Sequence, residues 1–266
     1  MEIRKISNLV SEVINQNPLV LHYTNEVTIN DCANATLAIG ASPIMGDAIE
    51  EVEDLITISN AVVLNIGKMH SSQIPLYLEA GRIANALQKP IVLDPVGVFA
   101  SKQRTNFVEE LLSKVKFDVI KGNSAEILFM AGLETRGKGV DASDDLEIDI
   151  NKLRNFSKSI QTTIAATGKT DFITDGERTI LIHNGSTKLK SVTGTGCMTA
   201  SLVGSYLGVT NDPFKAAAMG VLTMSLSGEL ANHNDPAIGT FKVQLFDEMN
   251  CLDANAIENY VKVETL

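Results

Sequence analysis

Residues 118–127 read DVIKGNSAEI. The run DVIKGN has the length and β-branched content of a buried strand, and the residues after it read as a helix over 124–132. Asn123 takes the N-cap position of that helix and Glu126 its third position. Each side chain can then satisfy a backbone N–H that the helix start leaves unpaired. The same alternation recurs on both sides. LVLHYT (19–24), AVVLNIG (61–67), PIVLDPV (90–96) and TTIAATG (162–168) read as strands. Helices are expected over roughly 25–40, 50–59, 71–88, 101–115 and 149–160. Repeated strand–helix alternation predicts an α/β fold with a mostly parallel central sheet and helices on both faces. Chemistry in such folds collects at the carboxyl ends of the strands.

The pattern changes towards the C-terminus. DFITDGERTILIHNG (171–185) reads as an antiparallel hairpin turning at Asp175-Gly176. Residues 195–208, 212–233 and 237–249 form a C-terminal helical block. GLETRGKGVDASDD (132–145) is polar and reads as a surface loop. With no internal repeat and no linker, the expectation is one α/β domain over residues 1–266.

Composition narrows the function. The chain is 44% apolar and 20% charged, enough to bury a core, with a net charge of -10. That balance argues against a general nucleic-acid binder and against docking on anionic membranes. The charged, amphipathic N-terminal segment reads as a first helix and lacks the apolar core of a signal peptide. AAAMGVLTMSLSGEL (216–230) is too interrupted to span a bilayer and reads as a buried helix. Three widely spaced cysteines, Cys32, Cys197 and Cys251, form no CxxC or Cys/His cluster, which fits a reducing cytoplasm.

Several strand ends carry chemistry-bearing residues. Asp94, fixed by Pro95, suits a magnesium ion or its waters, and equally a turn cap. Glu126 can serve the capping box and still face the strand-end cleft. Lys121 suits a phosphate, or is simply a solvated lysine. Thr167-Gly168 offers a hydroxyl and open amides to a nucleotide phosphate, or is an ordinary turn. Met45 follows a short apolar segment and suits the core or a ligand. Later, TGTGCMTASL (193–202) runs a Gly-x-Gly turn into a helix. The amides of Gly194, Thr195 and Gly196 then form an anion hole at a positive dipole end, with Cys197 directly behind. No Walker motif or G-x-G-x-x-G after the first strand supports a P-loop or dinucleotide-binding reading.

Asn123 to Glu126, the strand-end Asp-Pro and the late G-x-G helix start together resemble the ribokinase-like superfamily of small-molecule kinases. Within it, TNEVTINDCANATLAIGASPIMGDAIEEVEDL (24–55), VVLNIG (62–67), IVLDPVG (91–97), KGNSAEI (121–127), ATG (166–168) and VTGTGCMTASL (192–202) resemble the hydroxyethylthiazole kinase family. The likeness runs in order from about residue 10 to 250. It implies ATP-dependent phosphorylation of the primary alcohol of 4-methyl-5-(2-hydroxyethyl)thiazole, a salvage step towards thiamine. It further implies a homotrimer whose active sites are completed across subunit interfaces. In the family pattern Cys197 replaces an aspartate base, Asp94 and Glu126 organise Mg2+, and Lys121 and Thr167 bind ATP. Met45, Gly194 and Asn25 fall on the substrate side. The family usually carries arginine where this chain has Lys121, so the charge is kept and the bidentate fork lost. The helix start is expected to lower the pKa of Cys197. The rival readings are a kinase for a hydroxymethylpyrimidine- or pyridoxal-type alcohol and a non-catalytic nucleotide-sensing subunit.

Overall fold

The computed structural model describes residues 6–133 and 149–266; the expected 132–145 loop falls almost wholly outside them. The first half alternates α1 (Leu9–Gln16), β1 (Leu19–Tyr23), α2 (Ile29–Ala38), β2 (Ser42–Met45), α3 (Val52–Ile58), β3 (Ala61–Asn65), α4 (Ile74–Ala86) and β4 (Ile91–Asp94). It continues with α5 (Lys102–Lys114), β5 (Val119–Asn123), α6 (Ser124–Met130), α7 (Ile150–Ile160) and β6 (Thr163–Thr167). The hairpin β7 (Asp171–Thr174) and β8 (Thr179–Ile182) follows. Then come α8 (Thr195–Leu207), α9 (Pro213–Ala231), α10 (Ile238–Cys251), α11 (Ala254–Tyr260) and β9 (Val263–Thr265).

The strands form one nine-stranded sheet in the order β2-β1-β3-β4-β5-β6-β7-β8-β9. β1 to β6 pair in parallel, and β7, β8 and β9 add an antiparallel edge. Neighbouring residues of the parallel strands divide between the two faces. Val20, Val63, Val92 and Val119 pack with α1, α2 and α8 to α10, while Leu21, Leu64, Leu93 and Ile120 pack with α3 to α7. Burial on both faces explains why these strands read as continuous apolar runs.

Three elements escaped the sequence reading. β2 is only four residues long and contains Pro43, which a strand tolerates at the sheet edge where β2 lies. β9 is a three-residue edge strand, and α11 is a helix of seven residues; both are too short for periodicity to reveal. The helix expected over 25–40 begins only at Ile29, because residues 24–28 are the loop that carries Asn25 from β1. The apolar stretch 216–230 lies inside α9, whose residues are buried almost throughout. No helix of the described residues is long and apolar enough to cross a membrane.

α8 lies over the parallel strands, buried from Cys197 to Leu207. Two glycines let it sit there. A Cβ on Gly204 would lie 2.6 Å from Val63 Cγ2, and one on Gly220 of α9 would lie 2.6 Å from the Val203 backbone nitrogen. Such close approach fixes the height of α8 above the strand ends.

Candidate active site

The carboxyl edge of the sheet carries a row of buried polar side chains. Strand register puts Asn65 of β3 directly beside Asp94 of β4. Asn65 Nδ2 donates to Asp94 Oδ2 at 2.9 Å, and Lys121 Nζ from β5 lies 3.7 Å from the same oxygen. Asp94 and Lys121 are 1% and 3% exposed, so neither charge is relieved by water. Burial pushes the Asp94 carboxyl up to about 7, against the pull of Lys121, with Glu126 adding to the rise. Burial also works against the Lys121 ammonium, but Asp94 and Glu126 outweigh it and hold its pKa above the usual lysine value. The other Asp94 oxygen, Oδ1, is buried and has no partner among the described residues. An orphan carboxylate oxygen is what a cation requires.

Glu126 is held differently. Its Oε1 accepts from the Gly97 backbone N–H at 2.7 Å, and its Oε2 accepts from Asn123 N–H at 2.7 Å. Asn123 Oδ1 accepts from Glu126 N–H at 2.8 Å, completing the capping box expected from NSAE. Each Glu126 oxygen keeps a free lone pair, so the cap and a role towards a cation are compatible.

The start of α8 is open. Gly194 has φ +91°, and a Cβ there would lie 2.8 Å from Thr28 Cγ2, so the position requires glycine on both counts. No side chain caps this helix start, and Gly194, Thr195 and Gly196 are half-buried. Unpaired N–H groups and the positive end of the helix dipole are thereby presented at the strand ends. A Cβ on Gly196 would sit 3.2 Å from Lys121 Nζ, so the lysine lies between Asp94 and the first turn of α8.

Cys197 is buried behind that turn, and Asn25 Nδ2 lies 3.5 Å from its sulfur in donor geometry. The expected lowering of its pKa is overturned. Burial pushes the thiol up and the nearby Asp94 carboxyl adds to the rise, against Thr28, Lys121 and Asn65. Desolvation of the thiolate is the largest of these effects.

Asn25, Asp94, Lys121, Gly194, Thr195, Gly196 and Cys197 therefore form one cluster, joined to Glu126 through the strand-end loops. Met45 and Thr167 flank it. Met45 ends edge strand β2, in register with His22, and packs half-buried against the core. Thr167 ends β6 beside Asn123; its hydroxyl donates to the Gly122 carbonyl at 3.3 Å. The Gly168 amide donates to Asp171 Oδ1 at 3.0 Å, so that turn is less open than its sequence suggests.

Four residues went unread in the sequence. Asn65 bridges Asn25 and Asp94. Its signal was available, since it closes AVVLN as Asp94 closes IVLD. Thr28 packs against Gly194. Asp171 is buried and holds the turn after β6. Arg104 of α5 donates to the carbonyls of Ile66, Val96 and Gly67 at 2.6, 2.9 and 2.6 Å, clamping the loops after β3 and β4. Nothing local in the sequence marks these last three.

Comparison with known proteins gives a consistent picture. The model of the hydroxyethylthiazole kinase family matches residues 10–255. A hydroxyethylthiazole kinase of Clostridioides difficile is 53% identical over 259 residues, covering 97% of this chain and 99% of that protein. One from Clostridium beijerinckii is 45% identical over 271 residues, covering 98% of each. Among solved structures, the hydroxyethylthiazole kinase protein from Pyrococcus horikoshii superposes with a TM-score of 0.90 at 40% identity, covering 98% of this chain and 99% of that one. A pyridoxal kinase from Staphylococcus aureus, solved with AMP-PCP and pyridoxal, gives a TM-score of 0.64 at 14% identity over 94% of this chain and 98% of that one. That second likeness is one of fold.

Proposed function

The chain belongs to the hydroxyethylthiazole kinase family, and from that premise we propose that it transfers the γ-phosphoryl group of ATP to the primary hydroxyl of 4-methyl-5-(2-hydroxyethyl)thiazole. The observation that carries this reading is the uncapped start of α8 facing the buried Asn25–Asn65–Asp94–Lys121 row. The hydroxyl oxygen forms a bond to the γ-phosphorus, the bond from that phosphorus to the β–γ bridging oxygen breaks, and ADP leaves. Such a loose transfer asks the protein mainly for positioning and for groups that receive negative charge. The amides of Gly194, Thr195 and Gly196 and the Lys121 ammonium are those groups.

Cys197 receives the hydroxyl proton on its sulfur. Its raised pKa makes the thiolate the minor form at neutral pH, which suffices where the hydroxyl loses its proton late in the transfer. On this reading activity climbs from neutral towards alkaline pH. Asp94, through Oδ1, and Glu126 are the residues that would hold magnesium. When bound, the ion neutralises phosphate charge. Two carboxylates fall short of a complete octahedral cage, the usual situation for magnesium that also binds nucleotide phosphates. Thr167 and Lys121 serve the nucleotide, and Met45, Gly194 and Asn25 the thiazole.

The same reading takes residues 1–266 as one kinase domain working in the cytoplasm as a homotrimer, with sites completed across the subunit interfaces. Val27 and Leu37, 62% and 54% exposed at the edge near α2, support an apolar contact there. The test is ADP formation with ATP, magnesium and the thiazole alcohol, run beside hydroxymethylpyrimidine and pyridoxal. Alcohol-dependent turnover that favours the thiazole is expected. Faster turnover of pyridoxal, or ATP binding with no turnover of any alcohol, would overturn it.

A further inference from the structure

Asn65 is 1% exposed at the end of β3 and touches both halves of the cluster, yet the transfer described above gives it no task. Its Oδ1 accepts two hydrogen bonds, from Asn25 Nδ2 at 3.0 Å and from the Gly67 backbone N–H at 2.9 Å. Its Nδ2 donates to Asp94 Oδ2 at 2.9 Å. Turning the amide over would set N–H groups against N–H groups on one side and oxygen against a carboxylate on the other, so a single orientation is allowed. The strand holds the residue from behind as well. Tyr77 Oη donates to the Asn65 carbonyl at 2.8 Å, and that tyrosine is buried.

This orientation dictates that of Asn25. With one Nδ2 hydrogen given to Asn65, the other is directed at the Cys197 sulfur 3.5 Å away. Asn25 sits on a loop, where its amide would otherwise be free to rotate. Gly67 closes the space beside it, since a Cβ at that glycine would lie 2.6 Å from Asn25 Nδ2. Arg104 in turn pins the Gly67 carbonyl at 2.6 Å.

We propose that Asn65 is a positioning residue that acts through Asn25 on Cys197, fixing the donor that faces the sulfur during transfer. The inference rests on the kinase reading given above. Because Asn65 acts on the group that takes the proton, its loss lowers kcat; because it also donates to Asp94, a modest rise in the KM for ATP accompanies that loss.

The test is a double-mutant cycle with the thiazole alcohol, ATP and magnesium, comparing wild type, Asn65→Ala, Cys197→Ser and the double variant. Removing a residue that orients a reacting group costs about 10–100-fold. Asn65→Ala should therefore lower kcat by about that factor in the wild-type background. In the Cys197→Ser background, where the sulfur it serves is gone, the same change should cost less than about threefold. Asn65→Ser leaves a hydroxyl to receive the freed N–H groups, and it repeats the cycle if the alanine variant does not fold. Equal losses in both backgrounds, a loss confined to KM, or wild-type kcat in Asn65→Ala would overturn the proposal. A wild type that forms no alcohol-dependent ADP overturns the kinase reading and this inference with it. An active wild type with additive losses overturns the inference alone.

Discussion

Two of the helices that begin at the carboxyl edge of this sheet, α6 and α8, begin in opposite ways. α6 opens on Asn123 and Glu126, whose side chains satisfy each other's backbone N–H groups. α8 opens on Gly194, which has no side chain to offer, and its first turn is left uncapped. Glycine at the cap position costs about a few tenths of a kcal/mol relative to a capping side chain, and the φ of +91° together with the approach of Thr28 requires glycine there. On the kinase reading proposed above, the difference separates a helix start that serves the scaffold from one kept available for an anion. Glu126 shows that the division is not absolute, since the residue that closes the α6 cap also faces Gly97 across the cleft.

The largest effect should come from Gly194→Ala. Its φ of +91° and the 2.8 Å approach to Thr28 Cγ2 force the α8 start to shift. Misplacing the donors that receive phosphoryl charge should lower turnover by about 10²–10³-fold, measured as steady-state ADP release. Turnover near the wild-type rate would show that the α8 start receives no charge.

Next comes Glu126→Gln, expected to cut turnover by about 10²-fold. Glutamine keeps one acceptor for the capping box but turns its amide nitrogen towards the Gly97 N–H, so the melting temperature also falls modestly. Asn123→Ala makes the contrast. It should cost about 1 kcal/mol in denaturant melts and lower turnover far less than Glu126→Gln does. If the two variants lose turnover equally, Glu126 is a cap and nothing more.

An effect on stability alone concerns Asp171, the first residue of β7, which holds the turn after β6. Burial pushes its carboxyl up to about 6 from 3.8, against bonds from Ser225 and the Gly168 amide. The folded state therefore holds this proton more tightly than the unfolded chain. The stability it lends is fully present below the unfolded value and lost as pH rises through about 6. Above that pH the buried carboxylate is a steady burden of roughly 3 kcal/mol at most, at 1.36 kcal/mol per unit. Asp171→Asn keeps an acceptor for Gly168 and should be more stable than wild type at pH 8, with the gap closing below about pH 5. Melts at both values check it. A variant less stable at pH 8 would contradict the sign.

The contrast between the two helix starts also marks what the sequence made legible. The parallel half of the fold could be read because its strands are buried on both faces and appear as unbroken apolar runs ending in polar residues. The α6 box was legible because its chemistry is local, three residues apart. β2, α11 and β9 were not, being too short to show a period, and β2 also carries a proline that only its edge position excuses. At the site, the residues next to a glycine turn or a strand-end proline stood out. Asn65, Arg104 and Asp171 did not, because their partners lie on other strands and loops and the bonds exist only once the chain has folded. The thiol of Cys197 illustrates the limit most sharply. Its helix position was visible, but the burial and the Asp94 neighbour that reverse the expected shift were not.

The central claim is that α8 starts with a working group, and Cys197 is where it meets the sharpest test. Purified Cys197→Ser and Cys197→Asp should be compared with wild type by initial rate at saturating ATP and thiazole alcohol. Serine matches the size of cysteine but is a far weaker base, so its rate should fall by about 10²-fold, with folding and ATP binding near normal. Aspartate supplies a carboxylate beside Asn25 and Lys121 and should retain activity. A residue present only for packing reverses that order, because a buried charge disrupts where serine does not. Serine at the wild-type rate with aspartate inactive would remove Cys197 from the chemistry and leave the open start of α8 without its proton acceptor.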